Sequence, residues 1–541
     1  MDVPETGAPD AGCDRELHAR LIVPIDTTGN IPPVAGVGPG LRILHSIAGR
    51  KFGLKIYKAL VLSLTFLAYA SYNAARRPIS VVKPILHHPQ KSESGGCGKT
   101  ASSANGIEYI EPEWKPFGGK QGQIRLGNVD LAFLSAYAVG NFVSGSIADQ
   151  VDPRHFLLVG MLGTGAASTL VSFGYFGDIH NTWFYVIGQT VSGLFQGTGW
   201  PIVVAIVAHW FGKGKRGLMM GLWNAHAPLG SVLGLQMSAS VLTYGWGWSF
   251  VVVGLFTCAA GVFSWLFLVV QPADVGLVEP STEAVDQKDG KGAVQDSTQA
   301  PLLPRSNAAT GQPKNIGFFR AWCIPGVLQF SLSIFCSKLV VYTFLFWLPF
   351  YLSSICIDGK GFSVEDATTL STVFDLASVV GSFLTGYLSD LTQSSASIAM
   401  FFAFLSIPLL YMYQLVGNTS LGINIVLLTL TSISVNGPYA LITSVVAADL
   451  GSHQSLQGNQ RALSTVTAII GGMGSVGAAL GPTLTGVLLS GAGEGDFGRV
   501  FAMLAGCSFA AGAMLFGLVW KEIKVAWGKR KKHASQAGNF E

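Results

Sequence analysis

Two adjacent guanidinium groups, Arg76 and Arg77, stand in a long apolar run and are the only charges from Ala59 to Val82. A guanidinium inside a bilayer-spanning helix costs roughly 2.5–3.5 kcal/mol on insertion scales, so it is rarely placed there without a partner. Its planar fork donates two parallel charge-assisted hydrogen bonds, a geometry that suits phosphate. The alternative is that the span ends early and both arginines sit at its interface. Ile79, Val81, Val82, Ile85 and Leu86 continue the apolar pattern beyond them and favour depth. Lys338 is a second anomaly, the only charge in the 37 residues from Ala321 to Ile357. Snorkelling explains a lysine poorly at that depth. It either receives an anion as a point charge or pairs to hold helices together. Asp375, also mid-span, is placed to neutralise Lys338 or Arg77; a lone buried carboxylate would instead protonate, and proton coupling is its other role. His226 is the sole His, Lys, Arg, Asp or Glu between Arg216 and Asp274, where a packed core histidine is the ordinary reading. Tyr69 and Tyr72 precede the arginines and offer hydroxyls to a ligand.

These residues need a membrane scaffold. Of 541 residues, 49% are hydrophobic and only 12% charged, where soluble proteins carry roughly a quarter. That surface cannot be kept soluble, and a net charge of +4 gives no electrostatic case for nucleic acid. Seven cysteines without CxxC or metal spacing indicate neither a zinc site nor a disulfide scaffold. A spanning helix needs about 20 apolar residues. Splitting the charge-free stretches at their polar and glycine-rich breaks gives twelve spans. The first six are 56–86, 128–148, 155–175, 182–209, 217–241 and 248–270. The others are 322–352, 365–388, 396–415, 422–447, 461–488 and 499–520.

The expected organisation is a disordered cytoplasmic tail (1–50), a six-helix bundle (51–270), a linker (271–320), a second bundle (321–520) and a basic tail (521–541). The linker carries eleven charges and a Ser/Gln/Gly-rich stretch. Lys and Arg flank spans one, four and twelve on one side, which makes both termini cytoplasmic by the positive-inside rule. The sequon Asn418-Thr419-Ser420 then falls in an exoplasmic loop, as a glycosylation acceptor or a chance match.

The halves share a pattern: Gly145-Ser146-Ile147-Ala148-Asp149 ends span two and Gly386-Tyr387-Leu388-Ser389-Asp390 ends span eight. The glycine lets a neighbouring helix approach, and the aspartate can cap an adjacent helix N-terminus. This resembles the signature loop of the major facilitator superfamily, with Gln150 where the family has a basic residue and Arg154 available in its place. The stretches Tyr69-Ala70-Ser71-Tyr72-Asn73-Ala74-Ala75-Arg76-Arg77-Pro78, Gly193-Leu194-Phe195-Gln196-Gly197-Thr198-Gly199-Trp200-Pro201 and Trp223-Asn224-Ala225-His226 resemble the organophosphate:phosphate antiporters, closest to the plant glycerol-3-phosphate transporters. The resemblance runs from about residue 50 to 525. It implies that Arg76 binds the substrate phosphate, and that Lys338 stands in for an arginine found one turn later in bacterial members. It also implies that Asp375 pairs with Arg77, and that His226 corresponds to a phosphate-binding histidine one position along.

The fold class expected is therefore an all-α membrane protein with twelve helices in two six-helix bundles. The expected function is exchange of an organic phosphate for inorganic phosphate by alternating access, by a monomer in the lipid bilayer. No cofactor, metal or catalytic dyad is expected, and no enzyme. A proton-coupled carboxylate or sugar carrier, or a non-transporting phosphate sensor, are the competing readings.

Overall fold

The computed structural model describes residues 37–48, 53–87, 114–119, 121–147, 151–211, 223–275, 277, 322, 324, 326–392, 394–443, 460–491 and 496–537. Nearly all of the expected linker, most of the loop after the first span, and Asp149 lie outside these residues. The expected tails are described only for 37–48 and 521–537.

The first half comprises α1 (Pro39–Ala48), α2 (Leu54–Ala74), α3 (Pro78–Leu86), α4 (Gly122–Ile147), α5 (Pro153–Phe176), α6 (Thr182–Gln196), α7 (Gly199–Trp210), α8 (His226–Ala239) and α9 (Gly247–Phe267). The second half comprises α10 (Val327–Ser354), α11 (Val364–Thr392), α12 (Ser395–Val416), α13 (Leu421–Leu441), α14 (Gln460–Ser490) and α15 (Gly498–Ala537). Among the described residues, ten helical stretches are long and apolar enough to cross a membrane. The two remaining expected spans fall on α6–α7 and on α8. Two differences from the sequence reading stand out. Pro39–Ala48 is helical where an irregular tail was expected, and α15 runs to Ala537 rather than stopping at 520.

Short polar residues start several helices. Asp152 caps α5 by accepting from the Arg154 N–H, with Pro153 at the first helical position, and Asn181 caps α6 through the Trp183 N–H. Two spans that hydropathy reads as continuous are interrupted. Proline has no N–H and its ring opposes the carbonyl four residues earlier. Pro78 accordingly ends α2 after Ala74, and Pro201 lies just beyond the Gly197-Thr198 break between α6 and α7. The first of these breaks carries both arginines. Broken helices at membrane depth are tolerated where the backbone is buried in protein or lines a cavity.

We call the end of the bundle reached by α3 and the start of α4 the distal end. The short hairpin of β1 (Cys356–Ile357) and β2 (Lys360–Gly361) lies there, with Ile357 opposite Lys360. The Asp358 N–H donates to the Asn418 carbonyl at 3.0 Å, tying two distal turns together. Cys356 is disulfide-bonded, a bridge that cysteine spacing does not announce. The halves meet through α3 on α10, α4 on α14 and α8 on α11. Of these, α4 and α14 approach closely near the distal end, where the Thr483 hydroxyl donates to the Gly127 carbonyl at 3.3 Å.

One close contact fixes the helix that carries the arginines. A Cβ on Gly230 would stand 2.2 Å from the Ala70 carbonyl oxygen, and one on Gly234 2.4 Å from that of Ala74. A G-x-x-x-G ridge on α8 thus lies directly on the backbone of α2. Gly234→Val must push these helices apart, a cost of about 1–3 kcal/mol for overpacking. The expected result is a lowered unfolding temperature in detergent; an unchanged one would refute the contact.

Candidate functional site

Arg76 leaves the α2–α3 break and is buried, 8% exposed. Its Nε donates to the side-chain oxygen of Gln196, the last residue of α6. The guanidinium lies over the Tyr137 ring of α4 at 4.5 Å. Tyr342 of α10 is also in polar reach. One guanidinium nitrogen of Arg76 and the amide nitrogen of Gln196 are buried without a partner. Unsatisfied buried donors are costly, and both of these can only donate. Gln196 reaches this place because Gly193, one turn earlier, lets α6 touch α4: a Cβ there would stand 2.3 Å from the Phe133 carbonyl oxygen. The Tyr72 hydroxyl is a further buried group with no partner.

Lys338 comes from the facing half, on α10, one turn before Tyr342. Its stem packs against Gly474 of α14, and its ammonium stands 5.5 Å from the centre of the Tyr439 ring. It is close enough to Arg76 for the like charges to repel. Among the described residues no carboxylate pairs with either cation.

Two other buried cations, Arg77 and Lys83, are neutralised by carboxylates. Arg77 pairs with Asp375 of α11, both nearly inaccessible. It also donates to the Leu345 carbonyl of α10. That carbonyl is free because Pro349, four residues on, has no N–H to give it. Asp375, left open between Lys338 and Arg77 by sequence, therefore lies against Arg77. Lys83 of α3 pairs with Asp130 of α4, both wholly buried. Among the described residues, Arg77 and Lys83 thus have carboxylate partners, while Arg76 of the first half and Lys338 of the second have none.

His226 is buried with Nδ1 2.5 Å from the Trp223 carbonyl oxygen. Its ring meets those of Trp223 at 4.3 Å and Tyr69 at 4.6 Å. Tyr69, Trp200, Trp223 and His226 form one aromatic wall beside the Arg76 break. At the opposite end, Arg154 is buried and bonds Asp152 rather than a distant residue, with N···O 3.3 Å. Burial works to raise the Asp152 carboxyl, but the Arg154 N–H and guanidinium outweigh it and hold it below its usual range. Gly145 lies in the last turn of α4. At Gly386 a Cβ would meet nothing within 4 Å among the described residues. The close approach on α11 is at Gly381, whose Cβ would stand 2.7 Å from the Ile433 carbonyl oxygen. Asp390 is exposed at the end of α11, and Asn418 is exposed at the distal end.

Sequence reading missed Gln196, Tyr137, Tyr342, Tyr439, Lys83 and Asp130. The ionic pair had a signal: Asp130 is an acid inside an apolar span, and the charge count on span one stops one residue before Lys83. The neutral residues had none beyond the motif containing Gln196.

Paired helical halves with uncompensated cations between them define a membrane carrier. A Major Facilitator Superfamily model matches residues 61–459, and the chain belongs to that superfamily. It is 46% identical over 488 residues to the candidate glycerol-3-phosphate transporter 1 of Arabidopsis thaliana, covering 90% of this chain and 92% of the relative. It is 42% identical over 484 residues to a glucose-6-phosphate exchanger of Bos taurus, covering 87% and 95% respectively. A solved bacterial homologue of the human lysosomal transporter Spinster aligns with TM-score 0.53 over 86% of this chain and 95% of that one. At 14% identity that likeness concerns the fold alone.

Proposed function

We propose that the chain is a secondary transporter, not an enzyme, that exchanges an organic phosphate for inorganic phosphate by alternating access. Glycerol-3-phosphate or a sugar phosphate is the organic partner, as the names of its relatives suggest. The observation that carries this reading is the pair of uncompensated cations, one from each half, with open donors on Arg76 and Gln196. A phosphate dianion supplies the two negative charges and the acceptor oxygens that they lack. Arg76 binds it as a fork and Lys338 as a point charge. Without the anion, two like charges resist the approach of the halves; with it, the same charges draw them together. That asymmetry makes the loaded carrier the one that reorients, which is exchange. Tyr72 contributes a hydroxyl and His226 the aromatic wall. The Arg77–Asp375 pair couples the halves, and Gly145, Asp149, Arg154, Gly386 and Asp390 belong to the conformational loops at the proximal end. The carrier works as a monomer with both termini cytoplasmic, which puts Asn418 on the glycosylated side.

Counterflow in proteoliposomes tests this directly. Internal labelled phosphate should leave only when glycerol-3-phosphate or a hexose phosphate is outside. Uptake driven by a proton gradient without phosphate counterflow would overturn it. Lys338→Ala should abolish exchange, whereas Lys338→Arg should keep part of it, because a point charge is the easier role to replace.

A further inference from the structure

Lys83 and Asp130 take no part in the phosphate site, yet they form a wholly buried ion pair where the two halves meet. The pair itself lies within the first half, Lys83 on α3 and Asp130 on α4. The lysine also reaches across. Its ammonium donates to the Phe346 carbonyl of α10 at 3.1 Å and stands 4.4 Å from the centre of the Trp347 ring. Phe346 follows Leu345 in the turn that Pro349 loosens, so α10 presents two successive carbonyls to cations of the first half: Leu345 to Arg77 and Phe346 to Lys83. A main-chain carbonyl and an aromatic face are weak, releasable partners for a buried ammonium, unlike a carboxylate.

We propose that Lys83 is a latch that holds the distal end shut by gripping the proline-loosened turn of α10, while Asp130 keeps its charge compensated when the latch is released. Opening the distal end must part α3 from α10, because these elements come from opposite halves. That motion breaks the bonds to Phe346 and Trp347 and leaves the Lys83–Asp130 pair whole. At Lys83 itself, opening therefore gives up one charged hydrogen bond and its aromatic contacts, and strands no charge. The pair thus biases the equilibrium between distal-closed and distal-open states without binding substrate.

The transport consequence rests on the alternating-access reading above, so the test is made on substrate-free protein in nanodiscs. Hydrogen–deuterium exchange is followed in 79–87, 122–130 and 342–350. Lys83→Met with Asp130→Asn removes the latch as a neutral pair, with similar volumes and no unpaired charge. Amides in those segments should exchange about tenfold faster, the factor that a loss of ~1.4 kcal/mol produces when exchange follows local opening. Amides in α12 and α15 should be unchanged, which reports an intact second half. Trp347→Phe keeps the ion pair and most of the packing, and should raise distal exchange to a lesser degree, about threefold, since phenylalanine offers a poorer face to a cation. Distal exchange equal to that of the parent in either folded variant overturns the latch. That result leaves phosphate counterflow untouched, just as failed counterflow leaves this measurement interpretable.

Discussion

Arg76→Lys should lower phosphate exchange by about tenfold to a hundredfold, the range set by losing a charge-assisted hydrogen bond of ~1.5–3 kcal/mol. The substitution keeps the positive charge and therefore the long-range attraction for an anion. It removes the planar fork, which now spends one nitrogen on Gln196 and holds another open and buried. It also removes the flat face that lies on the Tyr137 ring. An ammonium on a shorter reach cannot satisfy Gln196 and a phosphate oxygen together. Arg76→Ala should abolish exchange. The physical point lies in stability. Arg76 has no carboxylate partner among the described residues, so its removal strands no charge, only the Gln196 amide. Arg76→Ala should insert and unfold at a temperature no lower than the parent's, because a buried, unneutralised cation is a burden on folding, whereas Arg76→Lys keeps that cation and should unfold near the parent's temperature. Counterflow normalised to reconstituted protein, together with thermal unfolding in detergent, checks both halves of the statement. Normal exchange by correctly inserted Arg76→Lys and Arg76→Ala protein would remove Arg76 from the phosphate site.

The contrast between charged and neutral residues explains what the sequence discloses. Arg76, Arg77, Lys338 and Asp375 are legible because an ion in an apolar run is a one-dimensional signal with a known cost. Gln196, Tyr137 and Tyr342 complete the surroundings of Arg76 but are neutral, and spans rich in such residues give them no contrast. Partnership is not one-dimensional either. Asp375 has two eligible cations by sequence, and only the fold lays it against Arg77. Hydropathy finds spans but says nothing of backbone continuity, so the breaks at Pro78 and Pro201 pass as unbroken helix although both prolines are visible. The far end of α15 is the converse. Lysine, alanine and glutamate are good helix formers whatever their polarity, so the helix outlasts the apolar segment. A close helix approach that no motif announces lies at Gly381, against the Ile433 carbonyl.

Arg77 and Asp375 should behave as a pair, and in the opposite sense to Arg76. They come from different halves, with Arg77 at the α2–α3 break and Asp375 in α11, and both are almost inaccessible. Taking away one member leaves an uncompensated charge in low dielectric, at a cost of roughly 3–5 kcal/mol for a truly buried pair. Asp375→Asn leaves Arg77 with the Leu345 carbonyl and no anion. Arg77→Gln leaves a carboxylate with no cation beside it. Each single variant should lower abundance and unfolding temperature as well as exchange. The double variant, Arg77→Gln with Asp375→Asn, puts two neutral amides in the same place. It should regain most of the stability lost by either single change, so the coupling energy in the cycle should be large and favourable. Exchange need not return with folding, because the two halves would have lost the ionic link between them even with the proposed phosphate ligands Arg76 and Lys338 in place. The readouts are the amount of folded protein, its unfolding temperature and counterflow in all four members of the cycle. If the double variant loses as much stability as the two single variants combined, the residues do not act as partners, and Asp375 is then free to serve Lys338 or a proton.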